Sequence, residues 1–420
     1  MNVMLIGSGG REHALAWSLR KNPSVETIWA LPGNAGIETI ATCVPIGATE
    51  LDRIVQFAQT HDVGFAIVAP DDPLALGLVD RLHNIGVACF GPGAKAARIE
   101  SSKAFAKALM YRHGIPTAAF QVCDTYEQAA ACLRTHKYPV VIKADGLALG
   151  KGVVIAQNVI EADAAVRGMM LEGRFGSSGN KVVIEDFLTG PEVSVLTFTD
   201  GKTIVPMVSS MDHKRAGDGD TGLNTGGMGT IAPNPYYTQD IADLCMERIF
   251  LPTVNAMREE GCPFSGCLYF GLMLTPDGPK VIEYNCRFGD PEAQVVLPLL
   301  ESDLLTVMQA VENGTLSETE VRFSSDCACC VVMASGGYPA SYEKGKDIIF
   351  TDTGRLVFHA GTRRDQGRIL TNGGRVLGVV AVRPTLKAAI DAAYEGVSTI
   401  HFDNAMFRSD IGAKAMEVVV

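Results

Sequence analysis

The chain has 420 residues, of which 47% are hydrophobic, and it contains 44 glycines and 20 prolines. This length exceeds what one ordinary hydrophobic core accommodates, so a compact globular protein of two to four domains is predicted. The formal net charge of −11 argues against nucleic acid or an anionic membrane as a partner. An anionic substrate remains compatible, because local Lys, Arg and backbone amides bind phosphate within acidic proteins.

Cysteine usage indicates a reducing compartment, because the 11 cysteines are odd in number and show no regular spacing. Cys327 and Cys330 have the spacing of a zinc ligand pair, but no second pair accompanies them. A buried strand with reduced thiols is the favoured interpretation. The first residues lack the basic start and cleavage region of a signal peptide, and no segment resembles a membrane span. We therefore expect a cytoplasmic protein.

Residues 1–100 alternate between short apolar strands and amphipathic helices. The predicted strands are Val3–Ile6, Val25–Ala30, Phe65–Val68 and Val87–Phe90, and the predicted helices are Arg11–Arg20, Leu51–Gln59 and Leu74–Asn84. Alternation of this kind predicts a parallel sheet with helices packed on its faces.

The glycine turn Gly7–Gly10 follows the first strand and invites comparison with a dinucleotide-binding turn. The pattern is incomplete, since Glu12 stands at the third glycine position and the second strand lacks a terminal acidic residue. A nicotinamide site is therefore disfavoured. Exposed amides at a helix start bind phosphate, and Arg11 adds a charged fork, so Gly9, Gly10 and Arg11 form a candidate phosphate monoester site. A tight strand–helix turn is the simpler interpretation and is compatible with it.

The remainder of the chain mixes helices with antiparallel patterns. The predicted elements are a helix at Ser101–His113, strands at Pro139–Lys143 and Lys181–Phe187, sheet at 195–208, a helix at 240–260, a hairpin of Cys267–Thr275 with Lys280–Asn285, strands at 328–334, 355–359 and 375–382, and a helix at 385–398. Pro276-Asp277-Gly278 supplies the turn chemistry of the hairpin.

A glycine loop follows the strand that ends at Lys143, and it carries a second lysine, Lys151. Its backbone N–H groups could fold over a triphosphate, although the sequence is not a Walker A motif and an ordinary β-turn-β connection is the alternative. The segment 182–188, followed by Glu192, could pair with adenine through its backbone and with ribose through the carboxylate. A plain strand with a surface glutamate is the alternative there.

Residues 211–229 form a polar, glycine-dense segment that resembles neither a helix nor a strand. Long irregular segments within compact domains are usually functional or disordered, and the many hydrogen-bonding residues favour a substrate loop. His213 in this segment and His13 near the first turn are given no proton-transfer role, because structural roles explain both.

The segment 280–292 begins as an apolar strand and ends in a turn. Alternate side chains of a strand share a face, so Glu283, Asn285 and Arg287 are predicted to point the same way. A carboxylate and a carboxamide oxygen are suited to Mg²⁺, and the arginine to a phosphoryl group. This indicates ATP chemistry, with a salt-bridged edge strand as the alternative. Asp290 is expected to cap a helix that Pro291 starts.

Taken in chain order, these motifs resemble those of the ATP-grasp superfamily, and in particular the glycinamide ribonucleotide synthetase family. The resemblance spans nearly all 420 residues. The shared blocks are Gly7–Ala14, Pro32–Gly36, Ser101–Lys107, Lys143–Val153, Asp212–Arg215, Asn224–Gly229, Glu283–Glu292, Phe358–Thr362 and Thr371–Leu377. The resemblance implies an α/β protein: a Rossmann-like parallel sheet in 1–100, an ATP-grasp domain in 101–324 with a lid at about 117–190, and a small α+β domain in 325–420.

The resemblance also implies roles for individual residues. Metal ligands, for Mg²⁺ or Mn²⁺, fall on Glu283 and Asn285. ATP contacts fall on Lys103, Lys143, Lys151, Glu185, Phe187, Leu188 and Glu192. Substrate contacts fall on Gly9, Gly10, Arg11, Asn224, Thr225 and Gly226, and catalytic roles on Arg287, Asp290 and Asp212. Leu223, Pro191 and Leu149 depart from the family pattern, which concerns kinetics rather than reaction class.

The implied reaction joins glycine to 5-phosphoribosylamine while ATP is converted to ADP and phosphate. The implied partners are these small molecules, with no nucleic acid or membrane, and the expected state is a monomer or weak homodimer. Another ATP-grasp carboxylate–amine ligase or a biotin-dependent carboxylase subunit is the nearest alternative. A nucleotide-binding regulator without chemistry is a second alternative, and Lys143, Glu283, Asn285 and Arg287 argue against it.

Overall fold

The computed structural model describes residues 1–147, 152–352 and 354–419. The first part of the chain contains β1 (Asn2–Gly7), α1 (Gly10–Leu19), β2 (Thr27–Pro32), β3 (Thr42–Cys43), α2 (Leu51–Thr60), β4 (Val63–Val68), α3 (Asp71–Ala75), α4 (Leu78–Asn84), β5 (Ala88–Phe90) and α5 (Ala94–Ser101). The five strands form a parallel sheet in the order β3-β2-β1-β4-β5, as the alternating pattern predicts. The helix predicted at 74–84 is divided, because Gly77 adopts a φ of 81°.

The second part contains α6 (Lys103–Arg112), β6 (Phe120–Cys123), α7 (Tyr126–Thr135), β7 (Val140–Ala144), β8 (Val153–Ala156), α8 (Val159–Met170) and β9 (Val182–Asp186). Its strands form an antiparallel sheet in the order β6-β9-β7-β8. The helices α7 and α8 pack on this sheet around a separate apolar cluster that includes Leu133, Ile142, Val166 and Ile184.

The third part contains β10 (Glu192–Asp200), β11 (Ile204–Pro206), β12 (Met211–Asp212), β13 (Arg215–Gly217), β14 (Thr221–Asn224), β15 (Gly229–Ala232), α9 (Gln239–Cys245), α10 (Leu251–Glu259), β16 (Ser265–Thr275), β17 (Gly278–Asn285), α11 (Ala293–Leu299) and α12 (Leu304–Asn313). An antiparallel sheet has the order β11-β10-β16-β17. The predicted hairpin is confirmed as β16 and β17, with Gly271 opposite Glu283 and Tyr269 opposite Asn285.

The last part contains β18 (Cys327–Ser335), β19 (Ile349–Phe350), β20 (Leu356–His359), β21 (Thr362–Asp365), β22 (Arg368–Thr371), β23 (Arg375–Arg383), α13 (Leu386–Val397), β24 (Ile400–His401), β25 (Ala405–Met406) and α14 (Ala413–Met416). Its main sheet has the order β12-β15-β18-β23-β20, with β25 also paired to β18. Two strands of this C-terminal sheet, β12 and β15, therefore come from the third part. The polar segment between them is attached to the C-terminal sheet at both ends.

Cysteines 327, 329 and 330 lie in β18, whose centre is buried, and all 11 cysteines are free thiols. The predicted α/β class with a Rossmann-like first sheet is confirmed. Within the described ranges, no helix combines the length and hydropathy needed to cross a bilayer.

Candidate active site

A cavity of about 940 Å³ lies where the glycine-loop strand β7, the strands β9 and β17 and the segment 211–229 meet. Most of the side chains that the sequence motifs indicate line it: Arg11, Lys103, Lys143, Glu185, Phe187, Leu188, Glu192, Asp212, Asn224, Thr225, Gly226, Glu283, Asn285, Arg287 and Asp290. Gly9 and Gly10 lie behind Arg11 and are not among the lining residues. Lys151 falls outside the described residues.

Strand β17 presents its two faces as the alternation predicts. Glu283, Asn285 and Arg287 line the cavity. The intervening Cys286 is only 2% exposed and packs into the core, as does Phe288 just beyond it. Strand β17 ends at Asn285 and so carries Glu283 and Asn285, and Arg287 lies in the bend that follows, where Cys286 and Phe288 pack into the core.

The glycine loop is tied to the start of α6. Ser102 caps this helix by accepting a hydrogen bond from the Phe105 N–H at 3.1 Å. Asp145 accepts from the Ala104 N–H at 2.7 Å and from Ser102 Oγ at 3.1 Å. Lys103 Nζ donates to the Gly146 carbonyl at 3.0 Å. Burial lowers the pKa of Lys103, although Glu283 opposes the shift.

Glu185 lies buried between two lysines rather than facing solvent. Its carboxylate is 2.8 Å from Lys107 Nζ and 3.0 Å from Lys143 Nζ. Burial opposes ionisation of Glu185, but the two lysines outweigh it and lower the pKa of its carboxyl. Burial lowers the pKa of Lys107 to about 8, against the effect of Glu185. Lys143 also donates to the Ile282 carbonyl at 2.7 Å, which leaves one of its three N–H donors for a ligand.

Glu283 faces a group of cations across the cavity. Lys214 Nζ lies 3.8 Å from its carboxylate and 2.8 Å from that of Glu192. Burial would raise the pKa of Glu283, but Lys214, Lys143 and Lys103 outweigh it and keep the pKa below its usual range. An ionised carboxylate and a carboxamide oxygen side by side fit Mg²⁺, which binds few protein oxygens and completes its shell with phosphate and water.

The start of α1 already holds two carboxylates of the protein. The Gly9 N–H donates to Glu12, and the Arg11 N–H donates to Asp290 Oδ2 at 3.1 Å. The Arg11 guanidinium contacts Glu12 Oε1 at 2.7 Å and the Phe288 carbonyl at 2.9 Å. A phosphate bound here would therefore meet the remaining donors of Arg11 rather than an open row of helix amides.

The expectation that Asp290 caps a helix is wrong. Helix α11 begins at Ala293, and Glu292 occupies its N-cap position. The Asp290 carboxylate instead accepts from Gln294 Nε2 at 2.9 Å and from the Arg11 N–H, and it lies 3.3 Å from Arg375. Burial opposes ionisation, but the two arginines outweigh it and lower the pKa of Asp290.

The loop 224–229 is held from the C-terminal sheet. Arg375 Nη1 donates to the Gly226 carbonyl and to the Asp290 carbonyl, both at 2.7 Å. The Gly226 N–H donates to the Tyr338 hydroxyl at 3.1 Å. Gly227 has a φ of 114°, and a Cβ there would lie 2.5 Å from Asp212 Oδ1. Only glycine fits this position.

Asp212 is the least satisfied acid of the cavity. Its Oδ1 is buried and has no hydrogen-bond partner among the described residues. Burial first, and then the Glu292 carboxylate, raises the pKa of Asp212 well above its ordinary value. A carboxylate of this kind is suited to a cationic or hydrogen-bond-donating group of a substrate.

Sequence reasoning missed Lys107, Lys214 and Arg375, all of which line the cavity. Lys107 lies one helical turn after Lys103, so helical spacing could have indicated it. Lys214 and Arg375 lie within blocks already noted for their resemblance, but their side chains act on distant partners. Their roles could not be deduced from local spacing.

Comparison with known families divides the chain among three domains. Residues 1–100 match "Phosphoribosylglycinamide synthetase, N domain", residues 101–293 its "ATP-grasp (A) domain" and residues 328–414 its "C domain". The fold and the cavity are thus those of the ATP-grasp class. The chain belongs to the phosphoribosylglycinamide synthetase family.

The phosphoribosylamine–glycine ligase of Halalkalibacterium halodurans is 46% identical and covers 99% of this chain and 97% of its own length. The crystal structure of phosphoribosylamine–glycine ligase from Thermotoga maritima is 34% identical, with a TM-score of 0.88 over 98% of this chain and 100% of that chain. A biotin carboxylase domain from Hydrogenobacter thermophilus, solved with MgADP and bicarbonate, has a TM-score of 0.76 at 16% identity over 97% and 91% of the chains. That last likeness shows a shared fold alone.

Proposed function

We propose that this chain joins glycine to 5-phosphoribosylamine in purine biosynthesis, giving glycinamide ribonucleotide while ATP is converted to ADP and phosphate. Family membership over the whole chain supports this reaction. The observation that carries it is one cavity lined by both sets of groups that the reaction needs. Lysines and the strand that carries Glu283 and Asn285 lie on one side, and Asp212, Asp290 and a glycine-rich loop lie on the other.

ATP is proposed to bind between β9 and β17. The segment Phe187–Leu188 holds the adenine, and Glu192, which shares only one oxygen with Lys214, accepts from the ribose hydroxyls. Lys103, Lys143 and Lys151 contact the phosphates. Glu185 is proposed to act indirectly, because its carboxylate is held by Lys107 and Lys143 and so orients the latter toward the nucleotide.

The proposed cation site consists of Glu283 and Asn285. Mg²⁺ or Mn²⁺ held by these two side chains would neutralise the charge that develops during phosphoryl transfer. Arg287, on the same face of the strand, contributes a fixed guanidinium beside the transferred group. The flanking lysines keep Glu283 ionised and therefore ready to bind a cation.

The proposed chemistry requires no nucleophile from the protein. A carboxylate is a poor electrophile, so the γ-phosphoryl group of ATP is transferred to glycine and gives glycyl phosphate. The sugar amine then attacks the acyl carbon, and phosphate leaves. Holding the reactants in line supplies about 7–11 kcal/mol, more than the ~3–4 kcal/mol of one donor aimed at developing charge. Positioning therefore outweighs any single contact.

Closure of the cavity protects the intermediate, because glycyl phosphate hydrolyses in water. We propose that the small sheet β6-β9-β7-β8, with its own apolar cluster, moves as a lid over the bound nucleotide. Lys143, near the end of β7, is the described residue of this sheet that is proposed to contact the phosphates.

The acceptor side is proposed to consist of Asp212, Asp290 and the loop residues Asn224, Thr225 and Gly226. Oδ1 of Asp212, which lacks a hydrogen-bond partner among the described residues, accepts from an amino group of a substrate, and the loop amides and side chains enclose it. Arg11 binds the 5-phosphate of the sugar at the rim, with Gly9 and Gly10 forming the turn that supports it.

The test is ADP release by the purified chain with glycine and with 5-phosphoribosylamine formed in the assay. We expect release to require both substrates, and alanine or bicarbonate in place of glycine to give none. With glycine and no amine, ATP labelled with ¹⁸O at the β,γ-bridge should scramble its label if glycyl phosphate forms reversibly. ADP release that follows bicarbonate instead would favour a carboxylase and contradict the proposal.

A further inference from the structure

Glu100 holds the residues at the end of β17 from a distant part of the chain. It lies near the end of α5, is 7% exposed, and is 186 residues from Cys286 in sequence. Its Oε2 accepts the Cys286 N–H at 2.7 Å, and its Oε1 lies 2.8 Å from Arg287 Nη2. With the Asn285 carboxamide assigned so that its nitrogen faces acceptors, Oε1 also accepts from Nδ2 at 3.1 Å. One buried carboxylate thus contacts three consecutive residues.

The orientation of the Asn285 carboxamide follows from these contacts. Nδ2 also donates to the Tyr284 carbonyl at 3.1 Å, so its two N–H groups face two acceptors. Burial raises the pKa of the Glu100 carboxyl against the effect of Arg287, but both of its oxygens face donors, the Cys286 N–H and the Arg287 guanidinium, so Glu100 accepts from the amide nitrogen of Asn285 rather than donating to its oxygen. Oδ1, the only atom of the carboxamide that binds Mg²⁺, is left for a cation.

We propose that Glu100 is a positioning residue of the cation site: it fixes which end of the Asn285 carboxamide faces the cation and holds Arg287 beside it. The inference rests on the proposed cation site. Groups that orient metal ligands from behind typically alter metal affinity by about 10–100-fold when they are replaced. A simple tether between α5 and β17 would hold the backbone through Cys286 and would not depend on the amide orientation of Asn285.

The test measures Mn²⁺ binding to the full chain saturated with ADP, by electron paramagnetic resonance of free Mn²⁺. Glu100→Gln preserves the shape but replaces one acceptor oxygen by a donor, so Asn285 can present either end to the cation. We expect the Mn²⁺ dissociation constant to rise about tenfold or more. The dissociation constant of ADP without metal, and the melting temperature of the metal-free protein, serve as measures of general damage.

Glu260→Gln is the matched control, because Glu260 forms a comparable ion pair with Arg112 at 2.6 Å but does not line the cavity. We expect it to leave Mn²⁺ binding unchanged. A rescue experiment distinguishes the proposed orientation of the Asn285 carboxamide from a simple tether between α5 and β17. A carboxylate presents oxygen whichever way it turns, and the glutamine introduced at position 100 can donate to it. The double variant Glu100→Gln/Asn285→Asp should therefore bind Mn²⁺ at least about tenfold more tightly than Asn285→Asp alone.

Unchanged Mn²⁺ binding in Glu100→Gln would overturn the proposal. So would a double variant whose loss equals the summed losses of the two single variants, since a tether gives no rescue. If Glu100→Gln alone does not fold, the proposal is tested by comparing Mn²⁺ binding in the double variant with that in Asn285→Asp. Binding in the double variant that is no tighter would overturn the proposal. Glu283→Gln separates the two claims: if it leaves Mn²⁺ binding intact, the cation site itself is elsewhere.

Discussion

The two walls of the cavity are held by different parts of the molecule. On the wall proposed to bind the nucleotide, which we call the nucleotide wall, the contacts lie within the central region: Lys143 contacts Glu185 at 3.0 Å and Lys103 donates to the Gly146 carbonyl at 3.0 Å. On the acceptor wall, the loop 224–229 is fixed by the C-terminal sheet through Arg375 and Tyr338. The last quarter of the chain therefore contributes to the cavity, not only to the core.

A second attachment strengthens the acceptor wall. Arg408, which is 1% exposed, contacts Asp220 at 2.8 Å, Asp410 at 2.7 Å and the Arg215 carbonyl at 3.2 Å. The Gly412 N–H donates to His213 Nε2 at 3.1 Å. The hairpin that leads into the substrate loop thus rests on residues 408–412. The comparison implies that changes on one wall should leave the ligand of the other wall largely unaffected.

The largest effect is expected on the nucleotide wall. Glu283→Gln keeps an oxygen ligand but removes the charge that binds the cation, so turnover at fixed Mg²⁺ should fall by about 10³-fold. Steady-state turnover with circular dichroism checks this. Asp277→Asn, in the turn of the same hairpin, is the control and should behave as wild type. Near wild-type turnover in Glu283→Gln would refute the cation assignment.

Arg375→Met tests whether the acceptor wall can be changed without an effect on nucleotide binding. It leaves the Gly226 and Asp290 carbonyls without their Arg375 donor and removes one of the two arginines beside the Asp290 carboxylate, so the apparent Michaelis constants for glycine and phosphoribosylamine should rise about 30-fold. Binding of ADP should not change. Arg383→Met is the control, because Arg383 lies on the same strand and its guanidinium donates to the neighbouring Val382 carbonyl. Weaker ADP binding with unchanged substrate constants would contradict the division into two walls.

Arg11→Ala tests the proposed contact between Arg11 and the 5-phosphate of the sugar on the acceptor wall. Loss of one charged phosphate contact should raise the apparent Michaelis constant for phosphoribosylamine about tenfold, with little effect on the Michaelis constant for glycine. Initial rates at varied phosphoribosylamine concentration measure it. Arg20→Ala, at the other end of α1, should leave both constants unchanged. If the apparent Michaelis constant for phosphoribosylamine is unchanged in Arg11→Ala, the 5-phosphate binds elsewhere in the cavity.

Lowering the pH should destabilise the acceptor wall locally, which is the smallest of the expected effects. Burial first, and then Arg408, lowers the pKa of His213 to about 4, so this histidine is neutral in the folded state at pH 7. The unfolded segment binds more protons than the folded one below pH 6.5, and stability is lost as pH falls from there toward pH 4. The local opening free energy near Gly412 should fall by about 1 kcal/mol between pH 7 and pH 5.5.

Hydrogen exchange by mass spectrometry, corrected for the intrinsic rates, measures this local opening. His213→Gln should flatten the pH dependence, because the carboxamide can still accept from Gly412 and does not titrate. His401→Gln, at an exposed position, should not flatten it. The same pH dependence in wild type and His213→Gln would show that another group is responsible.

The nucleotide wall was more accessible to sequence reasoning because its side chains follow short apolar strands at fixed spacing, as Glu283 and Asn285 do in β17. The contacts of Arg375 join residues 149 positions apart, and no local pattern reports such a pairing. Helices α7 and α8 were not predicted, although Thr125 and Asn158 carry their N-caps and were readable signals. Asp290 resembled a cap, but its buried arginine partners, which the sequence does not reveal, determine its role.

The measurement that bears most directly on the central claim is a crystal structure of the chain with ADP and Mn²⁺, using anomalous scattering at the manganese edge. The account expects an anomalous peak between the nucleotide phosphates and the side chain oxygens of Glu283 and Asn285, at bonding distance from both. A manganese peak on the phosphates with neither side chain in contact would contradict it.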